Sequence, residues 1–407
     1  MTPQPGYGPD LDALTVRAAD RMWHVYPGYS EDRFPHAELL PSVRANVALA
    51  ATVLRRGSGP TGAELRPARE LGAHRANQGV PLESIIQAYR QTERVLVLDL
   101  VARAGADAGR FADAVISCFD ELTDAMINAY RDASSAIETE RRRVGDELLT
   151  SLAAGVDVGA ARLERWASTL GIGTEGPWVA LAVAEPQADP VDPVTSAARR
   201  LLLPVLQTRF RHVVAADVEG ALLVLVGPGP GPGSAAEDDS PRSALLRTLA
   251  SAPALAGAGT PLVCGVGEDC AALATAAVSC RQAREAVRVA APGDGSGTGP
   301  GAGPTVVQYR DALVDVVLGG HPSAADELHD AVLGPLAAHP HLVETVEALL
   351  RNDLSQSATA RALFVHANTV SHRVRRIQEL TGRDPTALPD VVEFFLALRR
   401  RATRPSR

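Results

Sequence analysis

Three consecutive segments near the C-terminus decide how this chain is read: Ser355-Gln356-Ser357-Ala358-Thr359-Ala360-Arg361-Ala362-Leu363, then Phe364-Val365-His366, then Ala367-Asn368-Thr369-Val370-Ser371-His372-Arg373-Val374-Arg375-Arg376-Ile377-Gln378-Glu379-Leu380-Thr381, stopped by Gly382. The first reads as a short helix with Asp353 or Ser355 as its N-cap, and its alanines leave room for a second helix to cross closely. The third reads as a longer helix with Gly382 in a C′ position. At 100° per residue, Val370, Val374, Ile377 and Leu380 share one face, while Asn368, Ser371, His372, Arg375 and Arg376 point largely the other way. A short helix, a tight turn and a second helix with an arginine-bearing outer face make a helix-turn-helix. Such a face suits a major groove, because arginine bonds guanine bidentately, asparagine does the same to adenine, and neighbouring cations hold phosphates. The competing reading is a solvated helix in some other bundle. The ordered succession of cap, short helix, turn and arginine-lined helix favours DNA.

Immediately upstream, Leu342-Val343-Glu344-Thr345-Val346-Glu347-Ala348-Leu349-Leu350 is a strongly amphipathic helix closed by Asn352-Asp353. The charge balance changes in the same region. From His341 to Arg407 there are 11 arginines against 7 acidic residues, a net of +4, whereas the first 340 residues carry 29 against 41, a net of -12. The overall -8 is therefore an average over an acidic body and a basic end.

The length, 407 residues with 46% apolar and 22% charged, is ample for two to four domains and for cores that need no disulfide or metal. Lysine is absent, so all 40 basic residues are arginine. This excludes a P-loop lysine, a pyridoxal-phosphate Schiff base and a kinase-type strand lysine. Cys118, Cys264, Cys270 and Cys280 have no C-x-x-C spacing and read as buried small apolar residues in a reducing compartment. The N-terminal MTPQPGYGPD has neither the basic nor the apolar region of a secretory signal, and no apolar run approaches the ~18 residues of a membrane helix. A cytoplasmic protein without a membrane partner is expected.

Before Gly155 the chain reads as helix: Val43 to Arg56, Ala63 to Gln78, Leu82 to Ala104, and a long stretch from Asp107 to about Ala154. The last carries Phe111, Val115, Cys118, Leu122, Met126 and Ala129 on one stripe, which reads as an ordinary core or bundle face, or as a dimer-forming or signal-carrying one. From Gly159 helices alternate with strands. The expected elements are a helix Ala161 to Leu170, a strand Trp178 to Ala184, a helix near Val194 to Arg209, and a hairpin of His212 to Asp217 with Ala221 to Val226. A helix around Ser243 to Leu249, a strand Pro261 to Gly267 and a helix Ala271 to Val289 follow, suggesting an α+β sandwich of ferredoxin-like type. Two glycine/proline stretches, Gly227 to Pro241 and Ala291 to Pro304, read as flexible insertions or linkers, the second ending a domain. After Val306-Val307-Gln308 the chain is helical again.

Other motifs carry no chemistry. Gly171-Ile172-Gly173-Thr174-Glu175-Gly176 fits G-x-G-x-x-G but follows a helix and opens a strand, the inverse of a dinucleotide loop. The histidine pairs His339/His341 and His321/His329 and the single His74 have no metal or haem spacing, and no G-x-S-x-G, H-E-x-x-H or paired-carboxylate constellation occurs. No enzymatic activity, cofactor or metal is expected.

Leu342 to Gly382, followed by DPTALPDVVEFFLALRRR, closely resembles the C-terminal helix-turn-helix of PucR/CdaR-type bacterial transcription regulators. The resemblance is carried by S-x-S-A-T-A-R-A-L from Ser355, V-H-x-N-T-V from Val365, R-V-R-R-I-x-E-L-T-G from Arg373 and a final L-A-L-R. The middle segment resembles that family's GGDEF-like domain, most clearly in CGVGED and in Ser279 to Ala290, without a G-G-D-E-F run. Ala68 to Arg90 looks like the RsbRD-type N-terminal domain found in many actinobacterial members. The chain departs from the family where Ser371-His372 replaces a common Arg-Tyr, and where Ala367 replaces a larger residue.

The resulting expectation is multidomain: residues 1–157 an all-α helical bundle of RsbRD type, 158–308 an α+β GGDEF-like domain without the catalytic motif, 309–338 a helical connector, and 339–407 an all-α helix-turn-helix domain. The expected partners are double-stranded DNA, a second copy in a homodimer, and a small-molecule or protein effector. Asn368, Ser371 and His372 are expected near base edges, Arg375 at a base or phosphate, and Arg373 and Arg376 at phosphates, with Thr369 in the same row. Two alternatives stay open. One is a signalling or scaffold protein acting through protein partners with weak or no DNA binding. The other is a nucleotide cyclase, for which the hairpin offers only Asp217-Val218-Glu219-Gly220.

Overall fold

The three- and four-residue apolar spacing of the first 150 residues becomes, in the computed structural model, a set of helices: α1 (Leu11–Met22), α2 (His36–Arg56), α3 (Arg66–Asn77), α4 (Leu82–Arg103) and α5 (Ala108–Ala153). The structure describes residues 10–23, 36–103, 107–184, 195–227, 240–251, 262–290 and 304–403. Nearly all of both glycine/proline stretches, and Arg404 and Arg407 of the basic end, lie outside the described residues, as do Ala104, Pro261 and Val194, expected element ends. The chain divides into two compact units, Met1–Arg142 and Arg143–Arg407.

In the first unit, Leu14, Met22, Val47, Ile85, Leu100, Phe119, Leu122 and Met126 form a single apolar core. The stripe read on the long helix is thus its buried face, with Val115, Cys118, Leu122 and Met126 all inside. The second helix starts at His36, seven residues earlier than its periodicity suggested, and takes in Pro41. That proline removes one backbone hydrogen bond, a loss outweighed by burial of Leu39, Val43 and Val47. Gly72 on α3 lets two helices touch backbone to backbone: a Cβ there would lie 2.3 Å from the Met126 carbonyl oxygen of α5. The Tyr130 hydroxyl, one turn further on, donates to the Val80 carbonyl at 3.0 Å. Asp99, buried on α4, is held by Arg17 at 2.9 Å and Arg103 at 3.0 Å.

In the second unit, α6 (Ala160–Leu170), β1 (Glu175–Ala184), α7 (Thr195–Arg209), β2 (Val213–Val218), β3 (Ala221–Val226), α8 (Pro241–Ser251), β4 (Val263–Val266), β5 (Cys270–Ala272), α9 (Ala276–Val289) and β6 (Thr305–Gln308) come first. The sheet order is β2-β3-β1-β4-β6, with β5 also on β1. All these pairings are antiparallel except β4 with β6. Alternate residues of β1 feed opposite cores. Trp178, Ala180 and Ala182 pack with α6, α9 and the end of α5, while Val179, Leu181 and Val183 pack with α7 and α8. Burial on both faces is why this strand reads as a continuous apolar run. The β2–β3 turn is Glu219-Gly220 with φ of +50° and +81°, the pattern of a tight two-residue hairpin. Residues 271–275, expected at the start of a helix, instead complete β5 and a 3-10 turn, because Cys270 and Ala272 pair with Trp178 and Glu175 of β1. A three-residue strand is too short to leave a period in the sequence.

The remainder is helical: α10 (Leu313–Gly320), α11 (Pro322–Leu333), α12 (Pro340–Arg351), α13 (Gln356–Ala362), α14 (Ala367–Thr381) and α15 (Leu388–Thr403). The helices within the expected connector do more than join. Val332, Leu333 and Leu336 share one core with Leu342, Val346, Ile377, Phe394 and Ala397. Asp326 of α11 receives Arg400 of α15 at 2.9 Å, and Asp315 of α10 pairs with Arg399. The chain is therefore multidomain, running from an all-α region through an α+β region with a mixed sheet to an all-α C-terminal region.

Candidate nucleic-acid interface

Two positive-φ residues, Asp353 (φ +52°) and Leu354 (φ +61°), turn the chain out of α12. Ser355, and not Asp353, then caps α13, its Oγ accepting from Ala358 N at 3.3 Å. That helix closes with Phe364 N donating to Arg361 O at 3.2 Å and Val365 N donating to Ala360 O at 3.0 Å, a Schellman pair with Phe364 in the left-handed position (φ +54°). His366 caps α14 through Nδ1, which accepts from Asn368 N at 3.2 Å. Gly382 ends that helix at φ +69°, its N–H donating to Gln378 O at 2.9 Å.

The two faces of α14 separate by burial. Val370 and Ile377 are 0% exposed, and Val374 and Leu380 are half-buried. Asn368, Thr369, Ser371, His372, Arg375 and Arg376 are exposed. One expected outer residue turns inward: Arg373 Nη1 donates to Thr345 Oγ1 at 3.1 Å and to His341 O at 3.4 Å, anchoring α14 to α12. At 100° per residue position 373 falls between Ile377 and Leu380, on the buried stripe itself, so its side chain starts out toward the neighbouring helix.

Charge at this surface is sparser than the sequence count implies. Arg351 and Arg401 pair with Glu347, Arg383 with Glu393, Arg399 with Asp315 and Arg400 with Asp326. Arg376 forms an exposed pair with Glu379 at 2.8 Å, a contact worth about 0–1 kcal/mol that a phosphate can displace. Among the described residues, Arg361 and Arg375 engage no carboxylate and no hydrogen-bond acceptor. The Ser371 hydroxyl donates to Gln356 Oε1 at 2.9 Å, linking the two helices of the motif. Gln356 and His366 escaped the sequence reading. Histidine is not a usual N-cap, and the Gln356 contact exists only through the helix crossing.

The hairpin considered for a cyclase has its carboxylates occupied. Asp217 lies 3.4 Å from Arg199, and Glu219 pairs with Arg284. Among the described residues, no group of three or more His, Cys, Asp or Glu side chains could hold a metal, and no helix is long and apolar enough to cross a membrane.

Known proteins match this chain region by region. Residues 12–144 match the RsbT co-antagonist protein rsbRD N-terminal domain, 155–289 the GGDEF-like domain, and 342–400 the PucR C-terminal helix-turn-helix domain. The uncharacterized protein Rv2242 of Mycobacterium tuberculosis is 32% identical over 307 residues, 74% of this chain and 68% of its own. The transcriptional activator PmfR of Paenarthrobacter nicotinovorans is 42% identical over 77 residues, covering 18% of this chain and 16% of its own. The carbohydrate diacid regulator of Escherichia coli is 40% identical over 57 residues, 14% of this chain and 15% of its own. Among solved structures, the regulator of polyketide synthase expression from Bifidobacterium adolescentis aligns over 65% of this chain and 100% of its own, with 21% identity and a TM-score of 0.29, too loose a superposition to bear on the fold. The three matched regions follow one another along the chain in the order its sequence suggested. The chain belongs to the PucR/CdaR-type family of bacterial transcriptional regulators.

Proposed function

We propose that this protein is a sequence-specific, DNA-binding transcriptional regulator that binds its operator as a cytoplasmic homodimer and has no enzymatic activity of its own. The observation that carries the reading is the outer face of α14, where Asn368, Thr369, Ser371, His372 and Arg375 stand exposed over a fully buried Val370 and Ile377. Amide, hydroxyl, imidazole and guanidinium groups in one row are donors and acceptors suited to base edges. Arg375 and Arg376 contact a base or phosphates, and Arg373 holds the helix at its angle. A two-fold dimer sets two such helices about one helical turn apart on a pseudo-palindromic site.

In this reading residues 1–157 and 158–308 sense or relay a signal, 309–338 link them to the reading head, and 339–407 bind DNA. Inside the N-terminal unit Arg75, only 3% exposed, donates to Gln78 Oε1 at 2.6 Å and lies near Asn46, Tyr89 and Thr92.

The test is a fluorescence-anisotropy titration of the full chain on the duplex it selects from a randomised pool, at several salt concentrations. Replacing Arg375 and Arg376 by alanine weakens binding and flattens the salt slope by about 1.8, the release expected for two phosphates. Equal affinity of the double variant at every salt concentration rejects these assignments. A wild-type chain with no preference for any duplex favours a scaffold acting through protein partners.

A further inference from the structure

Phe364 stands out twice in one residue. Its side chain is 97% exposed, the most exposed of the large apolar side chains in the described residues. Its backbone is left-handed, at φ +54°. The position is C′ of a Schellman motif, which glycine fills without strain and asparagine with little. A phenylalanine there accepts backbone strain and leaves a ring in water, and the ring contributes nothing to the fold, since almost none of it is covered. Strain of this kind persists at positions where the side chain has a task.

The position indicates what covers the ring. Phe364 lies two residues before His366, the N-cap of α14, and the first exposed polar side chains of that helix are Asn368 and Thr369. The N-terminal end of the second helix is the part of a helix-turn-helix that meets base edges, so the ring stands at the mouth of the groove. Three residues earlier, exposed Arg361 has no ion-pair partner among the described residues. An aromatic ring beside an unneutralised cation fits an anionic surface with apolar points, and not the apolar face of a second protein. The apolar point in a major groove is the C5-methyl of thymine, which aromatic and aliphatic side chains touch.

We propose that Phe364 is a specificity-determining residue that packs on a thymine methyl group at the edge of each half-site. This rests on the DNA-binding reading above, and the experiment separates the two. The full-length wild-type chain selects a duplex from a randomised pool; that duplex is then titrated at three salt concentrations with thymines replaced by uracil one at a time. Uracil at one position per half-site lowers wild-type affinity by roughly three- to ten-fold, the scale of a single base contact. Phe364→Ala loses a similar factor on the thymine duplex, becomes indifferent to uracil at that position, and keeps the wild-type salt slope, because an apolar contact releases no counterions. Phe364→Gly shows the same loss while raising the melting temperature of the C-terminal region, which rules out misfolding as its cause.

Wild-type affinity for Phe364→Ala, or a uracil effect that survives the substitution, overturns the proposal while leaving DNA binding intact, provided the Arg375/Arg376 variant still binds poorly. Weaker self-association of Phe364→Ala in DNA-free sedimentation also overturns it, placing the ring between two copies of the chain. If the wild-type chain selects no duplex, the DNA-binding reading fails and this proposal with it.

Discussion

Arg373 of the second motif helix donates to Thr345 Oγ1 at 3.1 Å, and Thr345, fully buried on α12, donates in turn to His341 O at 2.7 Å. One arginine of the R-V-R-R run is therefore a fastener, while Arg375, two residues on, has no partner among the described residues. Neighbouring residues of identical chemistry are divided by a 200° rotation about the helix axis.

Arg373→Ala should accordingly act on stability before it acts on DNA. Leaving a buried Thr345 hydroxyl with one partner fewer costs about 1–2 kcal/mol, read as faster amide hydrogen exchange in residues 340–381. The salt slope of DNA binding should stay at the wild-type value. A slope flattened by a full phosphate, with unchanged exchange, would assign Arg373 to the DNA backbone.

Gly72→Ala sets two effects against each other. Alanine is the better helix former by about 1 kcal/mol, but the new Cβ would lie 2.3 Å from the Met126 carbonyl oxygen. Backbone cannot yield as a side chain can, so overpacking of about 1–3 kcal/mol prevails. The thermal transition of the N-terminal unit should move down, and an upward shift would show that α3 and α5 separate freely.

Glu64 closes the loop between α2 and α3, receiving Arg56 at 2.8 Å and Thr61 N at 2.7 Å. The Arg56 hydrogen bond, then those from Thr61, lower its carboxyl from 4.5 to about 2. A depressed carboxylate contributes stability above its unfolded value, and that contribution is lost as pH falls through the folded one. The loop clamp should thus hold at pH 5 and weaken between about 4.5 and 2. Carbon-13 titration of Glu64 should give a midpoint near 2, moving back toward 4.5 in Arg56→Ala; a wild-type midpoint above 4 would mean the clamp does not form.

Burial pushes the thiols of Cys118, Cys264 and Cys280 up to about 12, and that of Cys270 upward as well. The thiolate is the reactive form. A disulfide reagent at pH 8 should leave these three thiols unmodified in the native chain and react with all four cysteines in denaturant. Rapid native labelling of Cys264 would contradict its burial between the sheet and α7 and α8.

Much of the architecture was legible in the residues because it depends on local repetition. Val370, Val374, Ile377 and Leu380 announce a buried stripe wherever the helix is placed, and Gly171 and Gly382 mark helix ends because glycine is at ease at φ near +70°. The alternation of β1 was masked by helices on both faces, and the three residues of β5 were too few to register. Asp315 and Asp326 gave no sign that they would neutralise Arg399 and Arg400, since each pair is separated by more than 70 residues.

The sequence by itself determined the order of regions, the helix-turn-helix and its polar outer face, because caps, turns and 3.6-residue periodicity are properties of adjacent residues. Only the tertiary structure decided which arginines remain available to a partner. It gave Arg373 its partners on α12, matched most of the described arginines of the basic end with carboxylates, and left Arg361, Phe364 and Arg375 facing outward. Availability depends on which distant groups packing brings within hydrogen-bond reach, and no reading along the chain contains that distance.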